Sequence, residues 1–212
     1  MNKKNLCLMA LLLTAVMSCL GAFLLKSFGD HNLPVGLGID DPAITAAQFC
    51  DALNSGDTQA IESMLKGNPK VVPEFGPEQQ IDRELYDNLL DSISCKLDKN
   101  GVVEGMNASF DVSVSYFAFS LAVEDIRGCA QQIYDSMMAG TSDTELTYDE
   151  NGNLLESTAM SIYEEAVRQI LVNRESYTIS RSVSLELVYE NKHWEVILTD
   201  DLADILLGKA AN

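Results

Sequence analysis

Apolar and polar positions alternate most cleanly near the C-terminus. Tyr177, Ile179, Val183, Leu185, Leu187 and Tyr189 share one parity with Arg181, while Thr178, Ser180, Ser182, Ser184, Glu186 and Glu190 fall on the other. A period of two marks a strand with one buried face. Glu190-Asn191-Lys192 supplies a turn, and Trp194, Val196 and Leu198 resume the alternation, so Glu175 to Leu198 is predicted as a β-hairpin. A further strand is predicted over Ala108 to Phe119, with Phe110, Val112, Val114 and Tyr116 facing one way and Ser109, Asp111, Ser113 and Ser115 the other. Ile93, Cys95 and Leu97 alternate with Ser94 and Lys96 in another strand, which Asp98-Lys99-Asn100-Gly101 is predicted to end as a turn.

Elsewhere the spacing is helical. Asp41-Pro42 reads as an N-cap followed by proline at the first helical position, opening a helix to Ser55 that places Ile44, Ala47, Phe49, Cys50 and Leu53 mainly to one side. Gly56 ends it, and Asp57 caps a second helix carrying Ala60, Ile61, Met64 and Leu65. Pro77 opens a third with Ile81, Leu85 and Leu89. Leu121 to Ala139 carries Val123, Ile126, Ala130, Ile133 and Met137 as an apolar stripe. A tight turn through Asn151-Gly152 follows, then a helix over Thr158 to Asn173, and a short helix over Asp200 to Gly208 closes the chain.

One stretch has no period. Leu6 to Leu25 is free of charge and bounded by Lys3-Lys4 and Lys26, the length of a membrane-crossing helix. The expectation is an uncleaved anchor over 1–26 and a Gly- and Pro-containing tether over 27–41, leading to one domain over 42–208. A cleaved signal segment competes with it, as does a lipoprotein in which Val16-Met17-Ser18-Cys19 is a lipobox and Cys19 carries the lipid. The basic N-terminal flank predicts a cytoplasmic N-terminus, a single pass of the cell membrane through residues 6–25, and an extracytoplasmic domain. Past Lys26 stand all 32 acidic residues and only 11 basic ones, a formal charge of about −21. That excess excludes nucleic acid as a partner and disfavours docking on anionic lipid.

Cys50, Cys95 and Cys129 lie beyond the apolar segment, and two readings stay open for them: buried unpaired thiols, or one disulfide with a thiol left over. No CxxC and no nearby histidine supports zinc, and no metal or other cofactor is expected. Asp149-x-Asn151-x-Asn153 begins like a calcium loop, but Gly152 is misplaced and Met160 stands where a bidentate Glu is needed, which favours a plain turn. Asn107-Ala108-Ser109 matches a glycosylation sequon, relevant only in a eukaryotic secretory pathway.

Helices first, strands next, a helical segment and then a terminal hairpin make an α+β arrangement. Two stretches resemble the nuclear-transport-factor-2-like superfamily, especially its small secreted or membrane-tethered bacterial members. They are Ala47-Gln48-Phe49-Cys50-Asp51-Ala52-Leu53-Asn54-Ser55-Gly56-Asp57, similar to that family's opening helix and Gly-Asp break, and Tyr189-Glu190-Asn191-Lys192-His193-Trp194-Glu195-Val196, similar to its final hairpin. The resemblance covers roughly 42–200 and implies a cone: a curved antiparallel sheet with N-terminal helices packed on it, and Leu121 to Asn173 as a helical insertion. It further implies homodimers through the exposed sheet face, and a cone that in relatives holds a small apolar ligand or an active site.

His31 lies in the tether and His193 beside a hairpin turn, so no buried His–Asp pair is available and no catalytic residue is named. Arg181 shares the apolar parity of its strand and, with Tyr116 and Tyr177, is the candidate for binding a small apolar or anionic ligand. A competing reading has Arg181 at an open strand end, reaching water or a surface carboxylate. The expected function is a non-catalytic binding or assembly module outside the membrane. The alternatives are a small-molecule hydrolase, dehydratase or isomerase using the cone, and a component of an envelope secretion or conjugation complex.

Overall fold

The structure, a computed structural model, describes residues 41–77, 79–142 and 146–210. The membrane-length segment, Cys19 and the tether lie outside the described residues, among which no helix is long and apolar enough to cross a membrane. Helices α1 (Pro42–Ser55), α2 (Thr58–Met64) and α3 (Gln80–Ser92) precede strands β1 (Ser94–Glu104) and β2 (Asn107–Phe117). Helices α4 (Phe119–Met138) and α5 (Glu156–Val172) follow, then a 3-10 turn (Arg174–Tyr177), strands β3 (Thr178–Glu190) and β4 (His193–Val196), and helix α6 (Asp200–Leu206). The strands form one antiparallel sheet in the order β1-β2-β3-β4, curved and unclosed, so the fold is α+β.

Local chemistry accounts for most boundaries. Asp41 accepts the N–H of Ala43 at 2.9 Å with Pro42 next to it, and Asp57 accepts that of Ala60 at 2.9 Å. Gly56 ends α1 at φ +64°, where a side chain would be strained. Asn191 and Lys192, both at positive φ, join the paired residues Glu190 and His193 in a two-residue turn whose twist suits adjoining strands.

The turn predicted at Asp98-Lys99-Asn100-Gly101 is overturned. Strand β1 runs through it, and the pairing jumps from Leu97 opposite Val112 to Gly101 opposite Phe110, so three residues of β1 face Asp111 alone. The chain reverses instead at Gly105-Met106, with Gly105 at φ +63°. Polar residues that read as a turn are taken up as a bulge, because the Phe110 ring lies over Gly101: a Cβ there would come 2.1 Å from the ring. Three smaller corrections follow. Helix α3 starts at Gln80 rather than Pro77, Ile44 is 56% exposed, and Tyr177 belongs to the 3-10 turn rather than to a strand.

Phe49 and Leu53 of α1, Ile81, Leu85 and Leu89 of α3, and Val112, Val114 and Tyr116 of β2 are buried in one core with Ile126 of α4, Ile162 of α5 and Leu202, Ile205 and Leu206 of α6. Helix α1 lies on β1, and α4 lies along α5. The opposite sheet face is open. Ser94, Ser115 and Ser180 stand in register across β1, β2 and β3, as do Lys96, Ser113 and Ser182. All but Ser115 of these six are exposed, and Ser115 is half-buried.

Candidate functional site

Arg181 and Tyr116 are brought together, and Tyr177 is held apart. Arg181 sits on β3 opposite Val114, its guanidinium carbon 5.7 Å from the centre of the Tyr116 ring. Its Nη1 donates to Asp201 Oδ1 at 3.2 Å and its Nη2 donates to the Asp201 carbonyl, in the first turn of α6. The guanidinium therefore spends its charge on a carboxylate of its own chain, as in the surface-carboxylate reading. The Tyr116 ring is fully buried and its hydroxyl donates to the Lys209 carbonyl at 2.5 Å. Burial holds that phenol above its ordinary range, against the lowering effect of Arg181.

Tyr177 turns to α4, where its hydroxyl donates to Asp125 Oδ2 at 2.7 Å. That carboxylate pushes the phenol up to about 12. Its ring meets Phe117 edge-on at 6.4 Å.

Arg181 thus pins α6 onto the sheet. Arg181→Met is expected to lower unfolding free energy by about 1–2 kcal/mol, since it removes a charged bond to a backbone carbonyl and an ion pair together. Asp201→Asn, whose carbonyl still accepts from Nη2, is expected to cost less than about 1 kcal/mol. Urea unfolding checks both; unchanged stability in Arg181→Met would remove the pinning role.

The buried carboxyl lies elsewhere, on α3. Asp82 is 9% exposed and its Oδ1 accepts the Tyr163 hydroxyl of α5 at 3.3 Å. It lines a small cavity of about 30 Å³ with Phe75, Leu85, Tyr86, Leu89, Phe119 and Leu207, room for about one water molecule. Burial raises the Asp82 carboxyl above its ordinary range more than the hydrogen bonds of Tyr163 and Gln79 lower it. Tyr86 and Tyr163 are pushed up as well, chiefly by burial, and Tyr86 donates to the Val71 carbonyl at 2.9 Å.

A carboxyl raised by folding adds stability below its unfolded pKa and loses it as pH climbs through the folded value. Asp82→Asn is expected to remove this component, so its stability relative to the parent rises between pH 4 and pH 7. Urea unfolding at the two pH values measures it; a relative fall would show that Asp82 is stabilised as the anion.

Asp82 escaped the periodicity argument because the stripe Ile81, Leu85, Leu89 looked complete. The signal was a second row at the same spacing, Asp82, Tyr86 and Leu90, all buried here. Asp149 is consumed by its own turn: Oδ1 accepts the N–H groups of Asn151 and Asn153, each at 2.8 Å, and Oδ2 accepts Asn153 Nδ2 at 3.0 Å. Those bonds hold its carboxyl below the usual range.

Two larger depressions are open among the described residues. One of about 710 Å³ runs between α4 and α5 past Gln132, Ser136, Ser161, Glu165 and Arg168. The other, about 220 Å³, lies at the β1–β2 turn end of the sheet beside Val102, Glu104, Asn107 and Glu186. The chain is thus a helix-backed, four-stranded antiparallel α+β protein whose buried carboxyl, Asp82, and half-buried Arg181 stand in separate places. It matches no protein-family model, and comparison with curated proteins and with solved structures gives no match.

Proposed function

We propose that this chain is a membrane-tethered, extracytoplasmic binding or assembly module of the nuclear-transport-factor-2-like type, working through its outer surface. The carrying observation is the contrast between the two sheet faces. Side chains fill the helix-covered face, with a cavity of about 30 Å³ beside Asp82, while the other face presents short polar side chains in register across three strands, Ser94, Ser115 and Ser180 among them, with only Ser115 of that row half-buried. A space for one water does not receive an organic substrate, so the cavity beside Asp82 is not a substrate site.

The serine face suits a flat contact. Short hydroxyl side chains let two sheets approach closely with little side-chain entropy to lose, and Ser109 and Ser184 already share a hydrogen bond at 2.6 Å. On this reading the face receives a second copy of the chain, and the acidic helical surfaces remain for other partners. Native mass spectrometry of the full-length protein from detergent is expected to show a dimer. Ser182→Arg, which sets like charges face to face at the contact, is expected to reduce it to monomer. A monomeric parent carrying a bound small molecule would overturn the proposal in favour of the cone as a ligand site.

A further inference from the structure

We propose that Cys50 and Cys95 are joined as a disulfide in the mature protein, fastening α1 to the edge strand β1. Their sulfurs lie 2.7 Å apart, closer than two non-bonded sulfur atoms rest and within about 1 Å of a covalent S–S length. Both side chains are buried, in the layer where α1 lies on β1.

The approach is built by a neighbour. Asn54, one turn further along α1, donates Nδ2 to the Cys95 carbonyl at 3.0 Å and accepts the Cys95 N–H on Oδ1 at 2.6 Å. Both backbone groups of the residue that bears one thiol are thereby clamped to the helix that bears the other. Among the described residues no group of three His, Cys, Asp or Glu could hold a metal ion, so the pair is not part of such a centre. Cys129, half-buried on α4, is the thiol left over.

The bond forms by exchange with an external disulfide, either a small thiol oxidant or a dithiol oxidoreductase in its disulfide form. Cys50 attacks one donor sulfur and expels a thiolate, which takes the Cys50 proton. Cys95 then attacks the Cys50 sulfur of the mixed disulfide, and the second donor thiolate leaves with the Cys95 proton. Two protein thiols are oxidised and one donor disulfide is reduced to two thiols. While the pair is closed, the S–H that Cys95 donates to Cys50 holds the Cys50 thiol below its ordinary range, and the same bond pushes Cys95 up. Because both sulfurs are covered, the exchange takes place during folding or when the edge strand opens.

The location of the oxidant rests on the extracytoplasmic reading; the pairing does not. Full-length protein isolated from membranes is alkylated in denaturant without reductant, then weighed and peptide-mapped. Whatever Cys7 and Cys19 carry, alkylation of Cys129 but of neither Cys50 nor Cys95, and a linked Cys50–Cys95 peptide, are expected. A second sample is equilibrated in oxidising glutathione before the same treatment. Linkage there but not in the membrane isolate would uphold the pair and overturn the extracytoplasmic reading. Alkylation of both Cys50 and Cys95 in both samples, or a link to Cys129, would overturn the pair. The Asn54→Ala variant, which keeps both thiols but loosens the clamp, is expected to require a more oxidising glutathione ratio for half-closure; an unchanged ratio would remove the positioning role of Asn54.

Discussion

Reduction of the full-length protein, with no residue changed, is expected to remove about 3–4 kcal/mol of unfolding free energy and to lower the melting temperature by roughly 10 °C. Cys50 and Cys95 are 45 positions apart, and closing a loop of that length restricts the unfolded chain by about 4 kcal/mol. The folded state loses little on reduction, because the contacts of α1 on β1 and the Asn54 clamp do not depend on the sulfur bond. The sequence supplies its own probe: Trp194 is the only tryptophan, 4% exposed on β4 and edge-on to Tyr189 at 5.4 Å. The sheet separates it from Cys95 on β1, so its fluorescence reports loss of the whole fold rather than of one corner. The variant lacking both cysteines, each replaced by alanine, is expected to match the reduced parent and to ignore reductant. Identical curves for the parent with and without reductant would show that the bond is absent.

The second large effect belongs to the bulge. Gly101→Ala is expected to cost about 2–3 kcal/mol, because a methyl group 2.1 Å from the Phe110 ring must expel the ring or part β1 from β2. Phe110 is 5% exposed and its core contacts go with it. Phe110→Ala alone is expected to cost about 3 kcal/mol or more through the cavity it leaves. In that background Gly101→Ala is expected to be close to neutral, since nothing remains to collide with, which gives a coupling of about 2 kcal/mol in the double-mutant cycle. Additive costs would mean that Gly101 is needed for its own backbone and not for the ring above it.

The errors in reading the chain share a cause. Asp98-Lys99-Asn100-Gly101 carries every local mark of a turn, and it becomes a bulge because an aromatic ring on the neighbouring strand settles over the glycine. Arg181 was legible as a dissonant residue on an apolar parity, but its partner Asp201 stands 20 residues further on, across the sheet and on another element. Asp82 and Tyr163 are separated by 81 positions, Cys50 and Cys95 by 45. No period or cap within a dozen residues encodes such meetings. Ile44 has the spacing of a core residue yet stands in the first turn of α1, where no described element covers it.

What the sequence determined by itself is what nearest neighbours along the chain can decide. The caps Asp41 and Asp57, the left-handed Gly56, the alternation along β2 and β3 and the two-residue turn Asn191-Lys192 follow from side chains acting on backbone a few residues away, energies that hold whatever the rest of the molecule does. What only the tertiary structure decided is which of these elements touch. It placed two cysteines within bonding reach, set a carboxyl in the core beside a tyrosine and gave Arg181 a carboxylate of its own chain. The reason is that packing is a contest over the whole core volume, won by the arrangement that buries most apolar surface with its polar groups paired.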